Sequence, residues 1–246
     1  MIYLKTILIF VVAVFLFNGC APQKMQVRGV IINHHLLAEK LISETLDPLR
    51  GQKPSTVVII GPNHMGLGSA PIVTAKSLES PAGDIIDNLI ITNVAHLDDY
   101  VMHEEFSVTN VLPYVHEAFP DAQIVPLLLY PEMRNERLEA FAATLIDVLP
   151  EDAVMVLSAD FAHVPTAVDA KVADAYSRQV IEQLDEGNVT NIKIDAPTAL
   201  QVLMKYVEDR GATNFVLVNN TNSAELTGRD DLPEVTSYLT GYYQRP

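Results

Sequence analysis

Cysteine is almost missing: Cys20 is the only one in 246 residues. A single cysteine excludes an intrachain disulfide and every metal site built on cysteine pairs. Acylation of Cys20 would leave the mature chain with no free thiol. Positive charge is scarce too. Lys and Arg number 16 against 31 Asp and Glu, a formal net charge of −15, and no run of basic residues stands anywhere beyond the N-terminal segment. Nucleic-acid binding, which rests on neutralising phosphates, is therefore disfavoured. Three catalytic signatures are also missing. The chain has no Gly-x-Ser-x-Gly elbow, no His-Glu-x-x-His helix and no phosphate loop of glycines and lysine, so serine hydrolase, zincin and P-loop readings lack support.

What is present begins with an apolar N-terminus. Ile2–Phe17 carries one charge, Lys5, and is followed by Asn18-Gly19-Cys20. A charged start, a short apolar stretch and a small residue before a cysteine read as an export signal over residues 1–19, with Cys20 as the lipid-modified first residue of the mature chain. Residues 20–26 then form a tether and residues 27–246 one domain. This places the protein in the cell envelope, anchored to a membrane through Cys20. The apolar run is shorter than a comfortable membrane span.

Within 27–246, strands and helices alternate. Helices are expected at 36–49, 112–119, 136–149, 167–184 and 196–208. Strands are expected at 27–35, 56–60, 71–76, 84–93, 123–129, 153–158, 213–219 and 235–242, with a turn at Ser80-Pro81-Ala82-Gly83. Such alternation, with 49% hydrophobic residues, predicts an α/β fold: a single domain with a mostly parallel mixed sheet and helices on both faces.

Three hydrophobic runs end on a histidine: Val27–His35, Val57–His64 and Met155–His163. Strand C-termini line the ligand crevice of an open α/β sheet, so three imidazoles delivered to one edge suit a metal or acid–base site. Of His34 and His35, neighbours on a strand, only one can face a shared site. Asp160, three residues before His163, can orient that imidazole or act as a helix N-cap. His103-Glu104-Glu105-Phe106-Ser107 offers two carboxylates and an imidazole that could contribute to a site, with a solvated polar loop as the favoured reading. Asn219–Glu225 reads either as a turn rich in Asn and Ser or, through Glu225, as a source of an oxygen ligand.

Taken in order, several segments resemble the Memo-like family, also called protein B of the AmmeMemoRadiSam system. They are Ile32-Asn33-His34, Ile59–His64, Ser80–Asp84, Glu105-Phe106-Ser107, Leu112-Pro113-Tyr114, Pro126-Leu127-Leu128, Ser158–His163 and the tail from Asn222 to Gly241. The resemblance implies a fold similar to that of the class III extradiol dioxygenases, which hold non-haem iron through two His and one Glu. It places His34 and His64 at the two histidine positions, Glu225 at the third and His163, with Asp160 beside it, at the position of the catalytic base. A divalent ion is implied, iron first, with copper or zinc as alternatives. The chain departs from the family pattern at Asn33-His34-His35-Leu36-Leu37, where Pro-His-Ala-Gly-Tyr is usual, and at Phe106 and Thr109, where the family has His and Glu. Two functions follow as expectations. One is a metal-dependent redox or dioxygenase-like enzyme acting on a small molecule or peptide. The other is a non-catalytic lipoprotein that binds a metal, peptide or small ligand.

Overall fold

The computed structural model describes residues 25–68, 71–76, 78, 83–130, 132, 133, 135–229 and 231–246. The expected signal peptide, Cys20, most of the tether and positions 80–82 of the expected turn lie outside the described residues. Among those described, nine strands form one mixed sheet. They are β1 (Val27–Ile32), β2 (Thr56–Pro62), β3 (Ile72–Thr74), β4 (His96–Leu97), β5 (Gln123–Leu129), β6 (Val154–Ser158), β7 (His163–Val164), β8 (Asn214–Asn222) and β9 (Val235–Gln244). The spatial order is β4-β3-β5-β2-β6-β1-β9-β7, with β8 on the free side of β9. The centre, β5-β2-β6-β1, is parallel throughout, and antiparallel pairings flank it on both sides. The α/β single domain expected from the alternation is the fold observed.

The central strands are hydrophobic at nearly every position because both faces are covered. Ile31, Val58 and Ile60 point into a core closed by the helices Gly83–Ile91, Asn135–Val148 and Pro197–Asp209. Val30, Ile32, Val57 and Ile59 point the other way, against Ile42 and Leu46 of the helix Glu39–Leu46 and Val108, Val111 and Val115 of the next helical segments.

Two expectations are corrected here. Residues 84–93 were expected as a strand; residues 84–91 lie in the helix Gly83–Ile91, and Thr92 and Asn93 form the turn after it. Its β-branched composition mimics a strand, but Ile85, Ile86 and Leu89 are buried at helical spacing while Ile91 is exposed. The expected solvated loop at 103–107 instead joins two short helices, Asp99–Glu104 and Phe106–Thr109. Asp98 caps the first by accepting from Val101 N at 3.1 Å, and Glu105, completely buried, caps the second by accepting from Ser107 N at 3.0 Å.

Candidate metal centre

The register places three strand ends side by side. Ile32 of β1 lies opposite Ser158 of β6, and Ile60 of β2 lies opposite Leu157. Residues just past these ends therefore meet at the C-terminal edge of the parallel sheet. His34 follows β1, His64 follows β2, and Asp160 follows β6 between them. The imidazoles of His34 and His64 sit edge to face with ring centroids 5.0 Å apart.

A carboxylate that no sequence motif marked completes the group. Asp195, in the loop before the helix Pro197–Asp209, holds Oδ2 3.2 Å from His34 Nε2 and 3.3 Å from His64 Nε2. The three offer one ligand atom each, all within 4.8 Å of one another. Asp195 is fixed by reciprocal contacts with Asp160: the Asp195 amide donates to the Asp160 carbonyl at 3.1 Å, and the Asp160 amide donates to the Asp195 carboxylate at 3.2 Å.

The rear of each imidazole is also held. Glu105 accepts from the His64 amide at 2.6 Å and from His64 Nδ1 at 2.8 Å. A carboxylate only accepts, so Nδ1 carries a proton, and in the neutral ring the Nε2 lone pair points to the centre. The Ser158 hydroxyl donates to the Ser107 carbonyl at 2.5 Å, which leaves its oxygen as an acceptor for His34 Nδ1 at 3.3 Å. If both imidazoles were neutral, they would present lone pairs to the same carboxylate oxygen. Three acceptors in van der Waals reach need a positive charge among them, either protons or a metal ion.

The titration behaviour agrees. Burial opposes the charged form of His64, but hydrogen bonds to Asp195 and Glu105 outweigh it and raise its pKa to about 9. His34 is also raised: burial works against the charged form, and the Asp195 hydrogen bond and the charge of Asp160 overcome it. Asp195 is lowered, because the two imidazoles more than offset its burial. Burial pushes Asp160 up, and the neighbouring Asp195 charge adds to it against the opposing pull of His34.

The remaining sequence candidates fall in two places. Glu225 is not brought to the histidines. It lies in the first turn of the helix Ser223–Thr227, where its carboxylate pairs with Lys171 at 2.7 Å and with the Thr221 hydroxyl at 2.8 Å. The Asn- and Ser-rich stretch instead supplies that helix's cap, Asn222 Oδ1 accepting from the Glu225 amide at 3.0 Å. Asp160 does not orient His163; it faces His34, accepting from that amide at 3.2 Å. His163 is on β7, which pairs with β9 rather than continuing β6. Its Nδ1 contacts the Thr236 hydroxyl at 3.3 Å. His163 nevertheless lines the same cavity, about 390 Å³, as His34, His64 and Asp195. Phe106 forms another wall, stacked on His64 with centroids 4.6 Å apart and planes 12° from parallel. His35 also reaches this cavity, held by the Tyr238 hydroxyl at 2.7 Å.

Glu105 and Asp195 are the two site residues that sequence reasoning missed. Glu105 gave two signals, its place in the Glu105-Phe106-Ser107 segment that resembles the family and its position beside the apolar Phe106 and Val108. Asp195 gave none of use, since an acid just before Ala196-Pro197 reads as a helix start.

Fold and site together define a single-domain α/β protein with a two-histidine, one-carboxylate cluster at the C-terminal edge of its parallel strands. A crystal structure of an uncharacterized protein from Escherichia coli K12 shares the fold, with a TM-score of 0.51 over 86% of this chain and 99% of that one at 12% identity. A family profile described as Memo-like protein matches residues 10–242, and the chain belongs to that family. Its relatives include MEMO1 family proteins of Caldivirga maquilingensis, 28% identical over 72% of this chain and 68% of the relative, and of Aquifex aeolicus, 26% identical over 88% and 86%.

Proposed function

We propose that the protein binds one divalent metal ion through His34, His64 and Asp195. The observation that carries this reading is the paired orientation of the imidazoles. Each Nδ1 is engaged from behind, by Glu105 or Ser158, while both Nε2 atoms converge on one Asp195 oxygen. A two-histidine, one-carboxylate set of this kind favours iron, with copper or zinc as alternatives. Such an ion, when bound, leaves coordination positions open to the cavity for an outside ligand. The reaction we propose is redox or dioxygenase-like, on a small molecule or peptide entering past Phe106. His163, on the cavity wall, is the residue placed to accept a proton, steadied by Thr236.

A second reading, metal or ligand binding without catalysis, is favoured by one observation. Among the described residues no carboxylate hydrogen-bonds His163; Glu234 stands 3.8 Å away, and both side chains are exposed. We also propose that the protein is exported and lipid-anchored through Cys20, on the strength of the apolar Ile2–Phe17 segment before that residue.

The test is element-resolved metal content of protein purified without added metal. Stoichiometric metal is expected in the native chain and in Glu225→Ala, and its loss in His34→Ala, His64→Ala and Asp195→Ala. Absence of metal under all loading conditions would sink the reading.

A further inference from the structure

Two histidines on the cavity wall, His35 and His163, are not among the candidate ligands. Both are held from β9. Thr236 and Tyr238, two residues apart, share one face of that strand. Thr236 Oγ1 meets His163 Nδ1 at 3.3 Å, and the Tyr238 hydroxyl meets His35 Nδ1 at 2.7 Å. Ser237 between them turns to the other face and donates to Asp174 at 2.6 Å.

The shorter contact fixes a proton. Tyr238 is completely buried. Burial and the nearby charge of Asp160 push its pKa up, so the phenol stays neutral. Among the described residues its hydroxyl has one hydrogen-bond partner, His35 Nδ1. A buried phenol with a single partner donates to it. Nδ1 is then the acceptor, and the ring's own proton stands on Nε2. That nitrogen lies across the ring from the phenol, on an exposed side chain that lines the cavity.

His35 is thus the converse of the histidines at the centre. Acceptors behind His34 and His64 leave Nε2 lone pairs for an ion in the neutral rings. A donor behind His35 leaves an Nε2–H, which an ion cannot use and a ligand can. The rest of the wall is rich in acceptors: Asp160, Asp195 and Glu234 line it, and no lysine or arginine does.

We propose that His35 selects the ligand of this cavity, its Nε2–H, set by Tyr238, donating to a small singly charged anion bound at the centre. This rests on the metal reading above, because the ion holds the other end of that anion. A carboxylate or a phenolate is of this class. A dianion is not, since the wall offers three carboxylates and no fixed cation to a second negative charge.

Azide serves as the probe, a monoanion with a free terminal acceptor and a visible charge-transfer band on copper(II). Full-length protein is loaded with one equivalent of copper(II), its metal content is measured, and azide is titrated. In His35→Leu the metal content should match the native chain while azide affinity falls about tenfold. His35→Gln, whose amide restores a donor, should recover most of the loss. Tyr238→Phe frees the ring to take either tautomer and should weaken azide binding by a smaller factor, with melts on the same sample confirming the fold. Sulfate, a dianion, should not displace azide from the native protein. Azide affinity unchanged in His35→Leu at full metal content overturns this proposal alone. So does metal loss from His35→Leu, failure of His35→Gln to recover binding, or displacement of azide by sulfate. A native chain that takes up no metal overturns the metal reading and this proposal with it.

Discussion

Glu105 illustrates how one buried acid can organise a site it does not enter. It receives the amide and Nδ1 of His64 and the amide of Ser107, and so fixes the tautomer that aims Nε2 at Asp195. Replacement by Gln keeps the shape but permits the opposite tautomer. Glu105→Gln is expected to weaken metal binding by roughly 10–100-fold without unfolding the protein, measurable by titration calorimetry. The pH dependence follows from His64. Its pKa rises from 6.5 to about 9 in the folded, metal-free protein. Protonation therefore stabilises that fold fully below about pH 6.5, and the contribution is lost as pH rises through about 9. A metal ion must displace the same proton. Thermal melts of chelator-treated protein should show falling stability from pH 6.5 to 9, and the gain on adding metal should grow across that window. A gain that does not change with pH would contradict the assignment of His64.

Short helices and strand ends set the precision at the level of elements. The helix Phe106–Thr109 is wedged against the end of β2: the Ser107 hydroxyl donates to the Pro62 carbonyl at 2.9 Å, and its oxygen stands 2.7 Å from where a side chain on Gly61 would begin. Gly61→Ala must push this helix away and carry Glu105 with it. A destabilisation of about 1–3 kcal/mol is expected, together with weaker metal binding. Denaturant melts and metal titration on one preparation check both, and an unperturbed metal affinity would show that the wedge does not position Glu105. This coupling was invisible in the sequence. The strands of the central sheet were legible because each is an apolar run of strand length, but residues 103–107 looked like any polar loop. Their order comes from burial against β2 and β6, not from local propensity. The helix Gly83–Ile91 was misread for the converse reason: its β-branched content suited a strand, and only its packing against Phe141 and Leu145 in the same core selects the helix.

For the whole molecule, location turns on Cys20. If Cys20 carries the lipid anchor, Cys20→Ser should move the chain from the membrane fraction to the soluble fraction while its metal content is unchanged. Finding the native chain wholly in the soluble fraction would refute the anchor.

By itself the sequence determined the α/β layering and the parallel centre and nominated three strand-end histidines, among which the resemblance to the Memo-like family picked His34 and His64 as ligands. Hydrophobic runs define strands, and the histidines just past β1 and β2 emerge at the C-terminal edge of the sheet, whereas His163 lies on β7. Only the tertiary structure decided the third ligand. Asp195 stands 161 residues beyond His34 and 131 beyond His64, on a loop that reaches the site because its amide and carboxylate bind the peptide groups of Asp160. No local pattern encodes a contact of that range. The same distinction explains Glu225, whose acidic, polar neighbourhood suits a ligand but whose helix points it at Lys171. Local chemistry nominates residues for a site, and the packing of distant segments selects among them.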